Sequence, residues 1–177
     1  MTLALAEAYA RCEEITRHEA KNFAYGIRLL PPEKRKAMAA LYALARRVDD
    51  IGDGEARSET KLEQLATVRR SLGELAAGSP PQDDPVLVAL GDAAGRFSIP
   101  LEAFGELIDG CEMDCRTSTY ETFEDLVVYC RCVAGSIGRL SLGVFGTDRP
   151  EEASGLADTL GVALQITNIL RDVVEDR

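Results

Sequence analysis

Histidine is nearly missing from this sequence: one residue in 177, His18, and it suits an exposed helical position better than a catalytic one. A single imidazole leaves thiolates without a partner for a zinc site. The E-x-x-H pairs of a helical di-iron protein are absent as well. The five cysteines are odd in number and never spaced C-x-x-C. Cys111, Cys115, Cys130 and Cys132 are therefore expected as buried free thiols in a reducing cytoplasm. Basic residues are in deficit, with 20 Lys and Arg against 30 Asp and Glu and a net charge of −10. That balance excludes a nucleic-acid partner, whose phosphates need a basic footprint, but not an anionic substrate bridged by metal ions. No run approaches the roughly 18 apolar residues of a membrane span. The opening MTLALAEAYARCEEI lacks the basic start and apolar stretch of a signal peptide. Strand-like alternation, solenoid repeats and low-complexity linkers are also lacking.

What is present is a helical pattern. Hydrophobic residues make up 46% of the chain, which excludes a disordered tail and suffices for one domain's core. Turn signals at 31–33 (PPE), 52–54 (GDG), 78–85 (GSPPQDDP), 98–100 (SIP) and 146–150 (GTDRP) separate apolar segments with helical spacing. They predict helices near 4–20, 33–53, 58–77, 84–96, 101–116, 121–145 and 151–177 in one all-α domain, with 78–85 a loop.

Two of these helices carry carboxylate pairs in matching contexts. In LYALARRVDDIGDG, residues 41–54, about 100° per residue places Tyr42, Arg46, Asp49 and Asp53 in one stripe. Leu41, Leu44, Val48 and Ile51 form the adjacent apolar arc, and Arg47 and Asp50 fall on the side expected to face solvent. Carboxylates in a last turn oppose the helix dipole by about 0.3–1 kcal/mol each, so stability alone does not select them. In the final helix Gln165, Asn168, Asp172 and Asp176 share a stripe, with Gly161 a turn earlier leaving room above it. Ile166, Ile169, Leu170, Val173 and Val174 make its apolar side. Paired i, i+4 carboxylates suit a hard cation such as Mg²⁺, and Arg46 and Arg171 beside them suit phosphate oxygens. One such pair alone is an ordinary solvated face in an acidic protein; two in matching contexts point to a metal–diphosphate site.

Between them, YCRCVAGSIGRLSLGVFG, residues 129–146, is apolar and helical yet carries Gly135, Gly138 and Gly143. Glycine within a helix costs up to about 1 kcal/mol relative to alanine, so these positions serve either tight helix packing or room for a long apolar ligand. Together YALARRVDDIGD, YCRCVAGSIG and LGVALQITNILRDVVED resemble, in order and spacing, the motifs of the squalene and phytoene synthases, the head-to-head prenyl synthases. HEAKNFAYGIRLLPPEKRKAMAALYA resembles that family's opening helices, so the likeness runs from about residue 20 to the last. Within the family it is most similar to bacterial presqualene diphosphate synthases of hopanoid pathways.

The resemblance implies an all-α isoprenoid synthase bundle around an apolar cavity. Asp49, Asp53, Asp172 and Asp176 would hold Mg²⁺, with Mn²⁺ as a substitute and Asn168 as a further ligand. Arg46 and Arg171 would steady diphosphate, Gln165 would line the mouth with Tyr42 nearby, and Tyr129 would lie near the reacting diphosphate. Asn22 and Phe23 would line the cavity, and Ala134, Gly135 and Gly138 would border the prenyl channel. The implied reaction joins two farnesyl diphosphates head to head into presqualene diphosphate, with NADPH needed only to continue to squalene. The alternative within the family is phytoene formation from two geranylgeranyl diphosphates. A head-to-tail synthase or terpene cyclase fits less well, because those carry D-D-x-x-D. A catalytically inactive helical module that binds prenyl lipid or a partner is the alternative of another class. The family continues past its second aspartate motif with an R-x-[FY]-x-P-like stretch and further helices, so residues 1–177 are expected to lack one cavity wall. A cytoplasmic location and transient contact with a membrane surface during product release are also implied; the oligomeric state is left open.

Overall fold

A computed structural model describes residues 3–79, 81–116 and 119–175. Nine α-helices follow one another among them, with no strand: α1 (Leu3–Glu19), α2 (Lys21–Arg28), α3 (Pro32–Asp53), α4 (Ser58–Ala76), α5 (Pro85–Arg96), α6 (Glu102–Arg116), α7 (Phe123–Cys130), α8 (Ser136–Phe145) and α9 (Pro150–Glu175). Seven helical segments match the expected ones to within a few residues at each end. The eighth, α2, carries no readable signal. It is only eight residues long, and its apolar Phe23 and Tyr25 are 74% and 73% exposed, so no buried periodic face marks it.

Helix α3 occupies the middle of the bundle, touching α1, α2, α4, α5, α6 and α8. Pro32 sits in its first turn, where the missing N–H costs no hydrogen bond. Ala37, Ala40, Leu41, Leu44 and Val48 recur at helical spacing and are buried. They meet Phe104 and Ile108 from α6, Leu87 and Leu90 from α5, Leu65 from α4 and Leu140 from α8 in one continuous core. Alanines on α3 let its neighbours approach closely, and the leucines fill the remaining volume.

Arg47 departs from expectation. Instead of facing solvent it forks onto Asp84 at 2.5 and 2.9 Å. Asp84 is also the N-cap of α5, accepting from the backbone N–H groups of Val86 and Leu87. Burial pushes the Asp84 carboxyl up, but the Arg47 bonds and the two N–H groups outweigh it, leaving the group below the usual range. Asp84→Ala removes a cap and one side of a charged pair, so a loss of about 1–2 kcal/mol is expected in urea unfolding at pH 7. Because the folded carboxyl titrates low, this stabilisation is present above the unfolded pKa of about 3.9 and fades as the pH falls through the folded value. The gap between the two proteins should therefore close in strong acid.

Helices α7 and α8 form one rod, Phe123–Phe145, joined by a π-helical turn at Arg131–Gly135 in which the Ser136 N–H reaches back to the Arg131 carbonyl. Thr122 and Asp125 cap its start reciprocally. By length and composition alone this rod is long and apolar enough to cross a membrane, although Arg131 and Arg139 interrupt any continuous apolar run. In the fold it packs against α3, α6 and α9. All five cysteines are free thiols, buried except for half-buried Cys115.

Candidate functional site

The end of α3 meets the end of α6 at Gly52, where an added Cβ would lie 3.5 Å from the Cys111 side chain. This approach gathers three carboxylates: Asp49 and Asp53 from α3 and Asp114 from α6. Burial and then the charge of Asp53 hold Asp49 above the ordinary carboxylate range. Asp114 is raised by burial and by Asp53, against the lowering effects of Tyr129 and Lys61. Burial, reinforced by Asp49, Asp114 and Asp53, pushes the Cys111 thiol up to about 12. That thiol therefore stays protonated beneath the acids.

Tyr129 faces this cluster from α7. Its hydroxyl donates to Asp114 Oδ2 at 3.0 Å, and burial and the Asp114 charge raise the phenol well above its usual pKa, so it remains a donor. The Tyr120 ring leans on it with centroids 5.2 Å apart. The Tyr120 hydroxyl is buried without a partner and pushed up to about 12 by burial. Lys61, from α4, donates to the Gly52 carbonyl at 2.6 Å. It supplies, from another helix, the cation that the dipole argument finds missing at the end of α3.

Asp114, Lys61 and Tyr120 are absent from the expected site. Asp114 has no carboxylate partner at helical spacing that would mark it, and Lys61 and Tyr120 act only through tertiary contact. Arg46 is drawn mainly to Asp50: it meets Asp50 at 2.7 Å, Asp49 at 3.8 Å and Glu19 at 4.0 Å, with its Nε buried and unpartnered. Tyr42 is half-buried one turn before it.

The second expected half-site lies on α9. Asp172 is exposed on α9 and paired with its neighbour Arg171 at 3.0 Å. Asn168 is exposed and Gln165 half-buried. Asp176 lies outside the described residues, as does the side chain of Asn22. Among the described residues helices α3 and α9 do not touch; both lean on the Phe123–Phe145 rod. The expected apolar side of α9 is open in part, with Leu170 63% and Val173 56% exposed. Phe23 on α2 is likewise open to solvent.

Gly135 and Gly138, together with half-buried Ala134, were expected along a prenyl channel. The two glycines form the seat of α9. An added Cβ on Gly135 would lie 2.7 Å from Asp158 Oδ1, and one on Gly138 3.0 Å from the Ala157 carbonyl oxygen. Gly161 does not leave room above Gln165, because a Cβ there would lie 2.5 Å from the Gly135 nitrogen. The glycines let two helix backbones touch.

The donor chemistry at α3 and α6, carboxylate oxygens of one sign, suits a hard divalent cation: burial and then the Asp53 charge raise Asp49 and Asp114, and a cation would offset both. Among the described residues no group of three or more His, Cys, Asp or Glu side chains is placed to hold a metal ion.

The squalene/phytoene synthase family profile matches residues 16–177. A phytoene synthase of Mycobacterium tuberculosis is 52% identical over 172 residues, covering 97% of this chain and 55% of that protein. A chloroplastic phytoene synthase 1 of Arabidopsis thaliana is 40% identical over 177 residues, covering 97% of this chain and 42% of that protein. The chain thus spans about half the length of these relatives. The crystal structure of a dehydrosqualene synthase superposes with a TM-score of 0.87 at 35% identity, covering 97% of this chain and 59% of that one. A squalene synthase from Alicyclobacillus acidocaldarius superposes with a TM-score of 0.88 at 32% identity, covering 99% of this chain and 65% of that one.

Proposed function

Because this chain belongs to the squalene/phytoene synthase family, we propose that the complete protein joins two geranylgeranyl diphosphates head to head, toward phytoene. The observation that carries the substrate choice is the 52% identity to a phytoene synthase. It favours the longer prenyl chain over the farnesyl diphosphate and hopanoid reading expected from the motifs. The A. acidocaldarius squalene synthase keeps presqualene diphosphate formation from farnesyl diphosphate as a second reading.

In the proposed reaction one allylic diphosphate ionises, and the double bond of the second prenyl chain attacks the resulting cation. Loss of a proton then closes a cyclopropane and leaves the second diphosphate in place. Mg²⁺ bound at the aspartates would supply Lewis-acid neutralisation of the leaving diphosphate. Asp49 and Asp53 would hold that ion from the α3 side, with Asp172 and Asp176 serving from α9. Tyr129, kept protonated by burial and by Asp114, gives its single O–H to Asp114 and so holds that carboxylate in place beside Asp49 and Asp53. Asp114 accepts that hydroxyl's hydrogen bond and so fixes its direction.

The test is product identification. The complete polypeptide carrying these residues, given Mg²⁺ and either farnesyl or geranylgeranyl diphosphate, with and without NADPH, should yield a forty-carbon head-to-head product from the longer substrate without NADPH. A thirty-carbon product alone would favour the second reading, and a head-to-tail product would overturn the reaction class.

A further inference from the structure

The seat of α9 combines close backbone contacts with a polar clamp. Among the described residues α9 touches only the Phe123–Phe145 rod, and the one α9 residue that is fully buried is Gly161. Leu156, Leu160 and Leu164 point outward, with 62%, 61% and 57% of their surface exposed. Glycine and alanine contacts bring the backbones together but bury little apolar area, so they fix distance better than they fix tilt. A directional polar contact can add to that seat.

Arg139 does so. Its side chain is only 14% exposed, and all three of its nitrogens are used. Nη1 and Nη2 donate to Glu106 Oε1 and Oε2 of α6, each at 2.7 Å, and Nε donates to Asp158 Oδ1 of α9 at 2.8 Å. Arg131 adds a looser contact with Glu106 at 3.8 Å. The Asp158 carboxylate fits because Gly135 has no side chain to occupy its place. One planar guanidinium therefore joins α6, α8 and α9 with a fork geometry that a lysine cannot reproduce.

We propose that Arg139 is a positioning residue for the α9 half of the site: by holding Asp158 against Glu106 it sets the tilt of α9 and so the place of Asp172. This rests on the proposed function. Asp172 lies fourteen residues beyond Asp158, about 21 Å along the helix at 1.5 Å per residue, so a tilt of about 5° at the clamp moves it by about 2 Å. A displacement of that size at a group that helps hold a metal–diphosphate complex is costly, since even about 1 Å of misplacement can lower turnover on the order of a hundredfold.

The experiment compares the unsubstituted complete protein with Arg139→Met and Arg139→Lys by amide hydrogen exchange and by the Mg²⁺ dependence of turnover. In R139M, peptides from α9 should exchange about tenfold or more faster while those from α3 and α5 are unchanged. The Mg²⁺ concentration for half-maximal turnover should rise by about tenfold, with part of the lost rate recovered at saturating Mg²⁺. R139K, which keeps the charge and loses the fork, should lie between the two. Unchanged α9 exchange, an equal rise in α3 and α5, or an unaltered Mg²⁺ requirement despite a loosened α9 would each overturn the proposal. An unsubstituted protein without any Mg²⁺-dependent turnover would count against the functional reading instead, and the exchange data would still judge whether Arg139 holds α9.

Discussion

Asp53→Asn should lower kcat/KM of the complete protein on the order of 10²–10³-fold while leaving the bundle folded. Asp53 is an exposed residue at the end of α3, with no packing role to lose. Its charge is the one that raises both Asp49 and Asp114, so its removal weakens the cation site and relaxes its neighbours together. Asp49→Asn provides the control on stability. The folded Asp49 carboxyl titrates above its ordinary value, so its ionisation favours the unfolded chain. Its contribution to folding is fully present below the unfolded pKa of about 3.9 and is lost as the pH rises through the folded value. At pH 7 the asparagine variant should therefore melt at or slightly above the unsubstituted protein, the gain being small because 56% of the side chain is exposed and screened. Loss of activity with an unchanged or higher melting temperature is the signature of carboxylates kept for a ligand. A clear fall in melting temperature in either variant would assign these aspartates to holding the fold.

Gly161→Ala carries the second large effect, and its sign is diagnostic. In a helix free on all sides, alanine for glycine adds up to about 1 kcal/mol of stability. At this crossing the new methyl would lie 2.5 Å from the Gly135 nitrogen and 2.6 Å from the Ala134 carbonyl carbon, both backbone atoms that cannot turn aside. Helix α9 would have to lift, at a cost of about 2–3 kcal/mol. Hydrogen exchange should show α9 loosened while α3 and α5 keep their protection, and turnover should fall with it. A neutral or stabilising result would mean that the helices do not cross this closely.

Helical periodicity and turn residues made most of the fold legible, because α3, α5 and α6 each bury a regular apolar face and begin or end at proline or glycine. Helix α2 escaped because it buries no such face. At the site, Asp49 and Asp53 were readable as an i, i+4 pair and Tyr129 through the motif around it. Asp114 and Lys61 were not, since each matters through a partner on a different helix. Arg47 illustrates the reverse error: a position that a helical wheel assigns to solvent found Asp84 across the loop between α4 and α5. The glycines of residues 129–146 admitted two readings in the sequence. The coordinates give Gly135 and Gly138 to helix packing against α9.

The π turn at Arg131–Gly135 gives the rod two phases. One extra residue in a helical turn rotates everything beyond it by about 100° relative to an uninterrupted helix. Tyr129 is set by the first phase, and Gly138 and Arg139 by the second. The two ends of one apolar stretch are thus indexed independently, one to the acids of α3 and α6, the other to α9. Tightening this turn to plain α-helix without removing a residue would rotate the second set away from its partners while leaving every one of those side chains in the sequence. The wide turn, more than side-chain identity, keeps the two halves in register.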